Sequence, residues 1–216
     1  MQKIFDLIRE TWRGKSIGRI LSNWAIGRHC KNLKGVMIDL GGGERPSYER
    51  YWGIAPSKFI RADIDPGKHP DVVADLNKPL PFADNFADHV FLFNTIYIMK
   101  EPRRLMTGIY RVLKPGGALW VLSPFMFPEA KEPDDFFRYT SEGLEADLRN
   151  AGFASTVIES VGERWSVAVS LLAPFLPFRV LRIPFFCIAV LLDRLTPRGL
   201  KKEHPAPLAY FCKVVK

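Results

Sequence analysis

The sequence predicts an α/β fold, a mostly parallel sheet with helices on both faces, from three observations. From residue 35 onward short apolar runs alternate with segments of helical periodicity. The first of these runs close in glycine or in aspartate, the residues of turns and strand ends. Apolar residues make up 47% and charged residues 25% of 216 positions, the balance of an ordinary globular core. That length corresponds to one domain with embellishments.

Taken in order, Val36-Met37-Ile38 runs into Asp39-Leu40-Gly41-Gly42-Gly43, a buried strand ending in a glycine turn, with a helix expected from about Arg45 to Trp52. Phe59-Ile60 leads into Arg61-Ala62-Asp63-Ile64-Asp65 as a second strand, and Val72 to Asp75 forms a short third. His89 to Phe93 and Ala118 to Leu122 are the fourth and fifth. Between them Leu105, Ile109, Val112 and Leu113 recur at helical spacing, with Pro102 in the first turn and Gly116-Gly117 closing the segment. Thr140 or Ser141 caps a further helix that presents Leu144, Leu148 and Ala151 and stops at Gly152. Val157-Ile158 and Leu208 to Val215 supply the last two strands.

The stretch 164–202 breaks this alternation. It is apolar, interrupted by Pro174, Pro177 and Pro184, and carries Arg179 and Arg182, which fits two or three amphipathic helices inserted before the last strand. No run of about 18 uncharged apolar residues occurs, so no transmembrane helix is expected. The first 16 residues have charges among their apolar positions and do not read as a signal peptide. Cys30, Cys187 and Cys212 lie far apart, which argues against a disulfide scaffold or a zinc site and for a reducing cytoplasm. The four histidines are scattered, so no metal is expected. The expected organisation is a helical cap over 1–34, a core domain over 35–163 and 203–216, and a basic apolar insert over 164–202.

The net charge of +8 is partitioned: +6 in residues 1–34, −5 in 35–163, +6 in 164–202 and +1 in the remainder. Basic charge belongs to the flanks, while the middle, which holds the strand ends, is acidic. Nucleic acid is therefore an unlikely partner despite a pI near 9.5.

A strand ending in glycines lets backbone approach a ligand closely. Asp63 follows Gly41 at the end of the second strand, where an acid can accept from both ribose hydroxyls, and Asp75 ends the third strand. Three sites at successive strand ends are what an adenosine ligand requires. An NAD enzyme would fit the first two, but Arg45 and Pro46 stand where its further glycines would be.

MIDLGGGERPSY, FIRADID, VVADLNKPLPFADNFADHVFLFNTIY and RVLKPGGALWVLSPF, in that order over Gly35 to Phe153, resemble the successive motifs of class I S-adenosylmethionine-dependent methyltransferases, in the group acting on small molecules and glycan or lipid intermediates. PLAYFCKVVK is similar to the antiparallel last strand of that fold. The resemblance implies a Rossmann-like seven-stranded sheet and S-adenosyl-L-methionine as cofactor. Asp39 with Gly41, Gly42 and Gly43 would hold its methionine end, Asp63 the ribose, Asp75 with Leu76 the adenine, and Asn94 the wall beside the sulfonium. Arg45 replaces the third glycine of the usual pattern, although Pro46 with Tyr48 is similar to a subset of the family. Tyr97-Ile98 stands where many relatives have Glu-His.

For the acceptor side, Asp135, Arg138 and Tyr139 in EPDDFFRYTSEGL are the catalytic candidates, against the alternative that Asp135 and Arg138 form an ion pair holding the loop. Tyr51, Trp52, Phe125 and Phe127 are candidates for an aromatic wall. The expected partner is a small or lipid-linked acceptor. The insert admits four readings: a lid, a homodimer surface, a shallow anchor on an anionic membrane, or plain core extension. The expected location is cytoplasmic, with the anchor reading placing the chain peripherally on the inner membrane surface. Two other functions stay open, a non-catalytic module that keeps the nucleotide pocket and an RNA methyltransferase.

Overall fold

A computed structural model describes residues 2–43, 48, 50, 58–130 and 134–216. Its strands are β1 (Val36–Leu40), β2 (Lys58–Asp63), β3 (Val72–Val73), β4 (Ala87–Phe93), β5 (Leu113–Pro124), β6 (Ser155–Val161) and β7 (Ala209–Val215). They form one sheet in the order β3-β2-β1-β4-β5-β7-β6. Neighbours from β3 to β5 pair in parallel, and β7 runs antiparallel between β5 and β6. This is the Rossmann-like seven-stranded sheet the motifs imply. Strand order reverses between β1 and β4, so their carboxyl ends open a crevice, the usual ligand position in such sheets.

Among the described residues seven α-helices accompany the sheet: α1 (Gln2–Trp12), α2 (Ile17–His29), α3 (Pro102–Val112), α4 (Ser141–Asn150), α5 (Arg164–Leu172), α6 (Arg179–Leu195) and α7 (Arg198–Glu203). Residues alternate between the two faces of the sheet, as the two-residue strand period demands. Ile38, Leu40, Val90, Leu92, Leu119 and Val121 pack on the face covered by α3 and α4. Met37, Phe91, Phe93, Trp120, Leu122 and Phe211 pack on the other, with Ala25, Ile26 and Cys30 of and after α2. A third cluster joins Leu7 of α1, Ile17 and Ile20 of α2, Val167 of α5 and Phe186 and Ala189 of α6. Thus α2 touches the sheet through one end and supports α1, α5 and α6 through the other.

Local chemistry explains the helix ends. The Ser16 hydroxyl accepts from the Arg19 amide and Thr140 from the Gly143 amide, each satisfying an amide left over at a helix start. Glu10 ties α1 down. It is completely buried and paired with Arg9, Arg13, Lys15 and Arg50, so α1 is ionically linked to the segment that follows the glycine turn.

Several sequence expectations are corrected. Gly116-Gly117 does not end α3; the chain turns extended at Leu113, and both glycines lie inside β5. A Cβ on Gly117 would stand 2.9 Å from the Lys114 carbonyl and 3.1 Å from that of Asp88, beside a register shift between β4 and β5. Pro184 does not cut the insert, because α6 runs through it. The proline sits on the exposed side, where the carbonyl it leaves without an amide can face water. The third strand stops at Val73, two residues early, and Ala74 and Asp75 enter a turn. The helix expected over 45–52 lies outside the described residues apart from Tyr48 and Arg50.

Candidate active site

The crevice is built where β1 and β4 end. Asp39, fully buried, is the penultimate residue of β1, and Gly41 turns the chain with a φ of +80°. A side chain there would be strained, and its Cβ would lie 2.7 Å from the Thr95 hydroxyl oxygen. Thr95 explains the closeness: its hydroxyl lies 3.0 Å from the Leu40 carbonyl and links the ends of β1 and β4. Gly42 is needed for contact rather than dihedral freedom, since a Cβ would overlap an Asp39 carboxylate oxygen at 1.9 Å.

One Asp39 oxygen accepts from the Tyr48 hydroxyl at 2.5 Å. The other is buried with no hydrogen-bond partner among the described residues. Burial pushes this carboxyl up to about 7, an effect opposed by Tyr48 and Arg61 and reinforced by Asp63. A buried acceptor without a donor among the described residues, beside bare glycine backbone, can accept from a ligand ammonium group.

Asp63 ends β2 and is nearly buried. One of its oxygens accepts from the Asp65 amide at 3.0 Å, and the Lys68 ammonium stands 3.4 Å from both. The Lys68 stem passes 3.8 Å from where a Gly43 Cβ would be, so this side chain spans the trough between the glycine turn and Asp63. Asp75 is half-buried and accepts from the amide and side chain of Asn77, and the Asn77 amide holds its carboxyl below the usual range. The Leu76 side chain packs in the sheet core, leaving its backbone as the part that can face a ligand. Asn94 follows β4 with φ +52°, its amide donating to the Leu122 carbonyl at 2.8 Å. Asparagine is among the few residues that tolerate that conformation.

Beside Asn94 lies a pocket of about 140 Å³, walled by Ser16, Arg19 and Ser22 of the α2 region and by Tyr97, Pro124 and Phe127. Arg19 is the one ionisable cation or acid among its described lining residues. Of the aromatic wall candidates, Phe127 borders this pocket, Phe125 packs on Tyr210 at 5.4 Å, and Tyr51 and Trp52 lie outside the described residues.

None of the three catalytic candidates lines this pocket, although Asp135 and Arg138 stand directly behind its wall. Asp135 and Arg138 form a two-pronged ion pair, one contact at 2.6 Å, and Asp135 also accepts from the Ala130 amide at 2.8 Å. Arg138 donates to the Pro128 carbonyl at 3.1 Å and stacks 5.4 Å over the Tyr97 ring. The Phe136 and Phe137 amides bond the Tyr97 carbonyl. The pair therefore clamps its loop onto Tyr97, a wall of the pocket. Arg138 holds the Asp135 carboxyl below the usual range, which weakens it as a base near neutral pH. Tyr139 donates to Asp147 at 3.1 Å in the α3–α4 layer, and burial pushes its phenol upward. Arg19, Ser16 and Ser22 escaped the sequence reading. Ser16 carried a capping signal, but nothing in the spacing placed α2 over the end of β4.

Residues 45–121 match the family described as Methyltransferase domain, about a third of the chain. No curated protein matches. Among solved structures the chain is similar to an S-adenosylmethionine-dependent methyltransferase from Archaeoglobus fulgidus (18% identity, 98% of this chain, 99% of that one, TM-score 0.61). It is also similar to phosphoethanolamine N-methyltransferase 2 of Haemonchus contortus in complex with S-adenosyl-L-methionine (16%, 90% of this chain, 52% of that one, 0.59). A third similar structure is the [4+2]-cyclase SpnF (21%, 91% and 81%, 0.58). At these identities the structures testify to the fold.

Proposed function

We propose that this chain is a class I S-adenosylmethionine-dependent methyltransferase and that it methylates a small or lipid-linked acceptor seated in the pocket beside Asn94. The observation that carries this reading is the pocket itself. It adjoins the crevice at the end of β4 and is walled by Ser16 and Ser22 of the α2 region, by Tyr97 and by Phe127, a mixed polar and aromatic lining.

A bound S-adenosylmethionine would supply an activated sulfonium methyl, whose carbon–sulfur electrons would stay with the leaving sulfur as the acceptor lone pair bonds the methyl carbon. Asp39 and the turn Gly41 to Gly43 hold the methionine end, the carboxylate accepting from its ammonium. Asp63 accepts from the ribose hydroxyls, for which Lys68 must swing aside. Asp75 and the Leu76 backbone meet the adenine. Asn94 forms the wall between the two subsites. The clamped loop at Asp135 and Arg138 keeps Tyr97 and Phe127 in place, so these residues position rather than react. Alignment and exclusion of water supply most of the acceleration, up to roughly 7–11 kcal/mol in favourable cases. The proposed setting is the cytoplasm, in keeping with three free thiols at Cys30, Cys187 and Cys212.

Calorimetry with S-adenosylmethionine and S-adenosylhomocysteine tests the cofactor half, and radiolabelled methyl transfer to small-molecule and lipid extracts tests the acceptor half. Binding of neither compound overturns the whole reading. Transfer to RNA alone, with steep salt dependence, would replace the acceptor class. Cofactor affinity without transfer to any fraction would favour the non-catalytic module.

A further inference from the structure

α6 is apolar around nearly its whole circumference, and only one side of it is covered. Phe186 and Ala189 face inward. On the opposite side Leu181, Phe185, Ile188, Leu191 and Leu195 recur at helical spacing, all exposed, the last by 69%. Spacings of three and four residues hold them within one stripe about 21 Å long. No charged residue falls in that stripe.

α1 extends it. Ile4, Phe5, Ile8 and Trp12 are exposed on one side of this helix, Phe5 by 69%. The two helices lie together: Ile4 shares an apolar groove with Ile188 and Leu191, and Arg179 at the start of α6 donates to the Trp12 carbonyl at the end of α1. Phe175 and Phe178, in the link between α5 and α6, are exposed by 80% and 66%. Isolated exposed apolar residues are ordinary, whereas a contiguous field of this size marks a contact surface.

Charge identifies the occupant. The segment 164–202 carries Arg164, Arg179, Arg182, Arg194, Arg198, Lys201 and Lys202 against one acid. That acid, Asp193, is turned inward, accepting from the amides of Glu163 and Trp165 and from the Ser166 hydroxyl. In α1, Glu10 is likewise buried among cations and Asp6 accepts from the Trp24 indole. Arg194, Arg198 and Lys202 are exposed on these elements, against Glu203 as an exposed acid of α7, whereas Arg164 and Arg182 are half-buried and bond carbonyls, and Asp193 and Glu10 are engaged internally. A two-fold copy would set the basic rims against each other. An anionic lipid surface receives both parts, acyl chains against the stripe and phosphates against the rim.

We propose that the joint outer face of α1 and α6 docks the protein on anionic membranes. This surface is separate from the crevice at β1 and β4 and stands or falls independently of the methyl-transfer reading. The test is co-sedimentation of the full chain with phosphatidylcholine vesicles, with and without phosphatidylglycerol. Wild type should partition about tenfold or more in favour of the anionic vesicles. Phe185→Glu with Ile188→Glu should lose that binding while keeping its circular dichroism and S-adenosylhomocysteine affinity, since both side chains point away from the core. Lys201→Glu with Lys202→Glu should reduce the preference for anionic lipid, as should high salt. Failure of wild type to bind either vesicle overturns the proposal. So does equal binding by wild type and the Phe185/Ile188 variant. A wild-type dimer that this variant splits, without vesicle affinity, would assign the face to a second copy instead.

Discussion

Asp39→Asn separates charge from shape at the centre of the crevice. Burial raises the Asp39 carboxyl from 3.8 to about 7, so keeping it ionised in the fold above that pH costs about 4 kcal/mol. Because the folded value is the higher one, this site's contribution to stability is fully present below about pH 4. It is lost as pH rises through about 7. Asparagine escapes that penalty but puts an amide where one oxygen has no partner, which costs about 1–3 kcal/mol. Without cofactor, the variant should therefore be more stable than wild type by about 1–3 kcal/mol at pH 8 and less stable at pH 4. Cofactor affinity should move the other way. Loss of a charge-assisted bond, about 1.5–3 kcal/mol, weakens binding by roughly 10- to 100-fold at pH 8. The gap should narrow at pH 6, where wild type is itself largely protonated. Urea unfolding at the two extremes and calorimetry at pH 6 and 8 measure both. A variant less stable than wild type at pH 8, or an affinity loss independent of pH, refutes the reasoning.

Asp63→Ala should weaken S-adenosylmethionine and S-adenosylhomocysteine alike by about 100-fold, since two hydroxyl bonds to a charged acceptor disappear; calorimetry showing an unchanged constant would remove the ribose assignment. Lys68→Ala should leave cofactor binding equal or severalfold tighter, because the ammonium now competes for Asp63, and a tenfold loss would show that it assists instead. Glu10→Gln should destabilise the fold by about 3 kcal/mol at neutral pH, seen as a lower urea midpoint. Burial alone would raise this carboxyl, but Arg50, Lys15 and Arg9 hold it near 2, so its contribution is present above pH 4.5 and lost as pH falls toward 2. Asp135→Ala and Arg138→Ala should each cost about 1–3 kcal/mol, with the double variant no worse than the poorer single, and additive losses in that cycle would contradict a clamping pair.

Much of the fold was legible because strand and helix periods are local. The acids at the ends of β1 and β2 and the glycines after β1 announced themselves by position in short apolar runs, and the structure gathers Asp39, Gly41 to Gly43 and Asp63 at one crevice. Gly116-Gly117 and Pro184 misled for a common reason. Glycine pairs and prolines signal a break in general, whereas here a bulge against Asp88 used the glycines and an exposed helix face tolerated the proline. The acid after β5 reads from the sequence both as a catalytic candidate and, by its three-residue spacing, as the partner of Arg138, and the structure shows that ion pair; that the pair packs on Tyr97 depended on the fold.

Residue order sufficed for the alternation of strands and helices, the acidic middle, the basic flanks and the adenosine-type pattern of strand ends, since each depends on neighbours within a few positions. Three things required the folded chain. Burial left one Asp39 oxygen without a donor among the described residues and was the main cause of its raised titration. Packing of α2 over the end of β4 brought Arg19 to a pocket wall from more than seventy positions away in the chain. The meeting of α1 with α6 turned two separate amphipathic segments into one outward apolar field, because which side of a helix is covered depends on what lies against it.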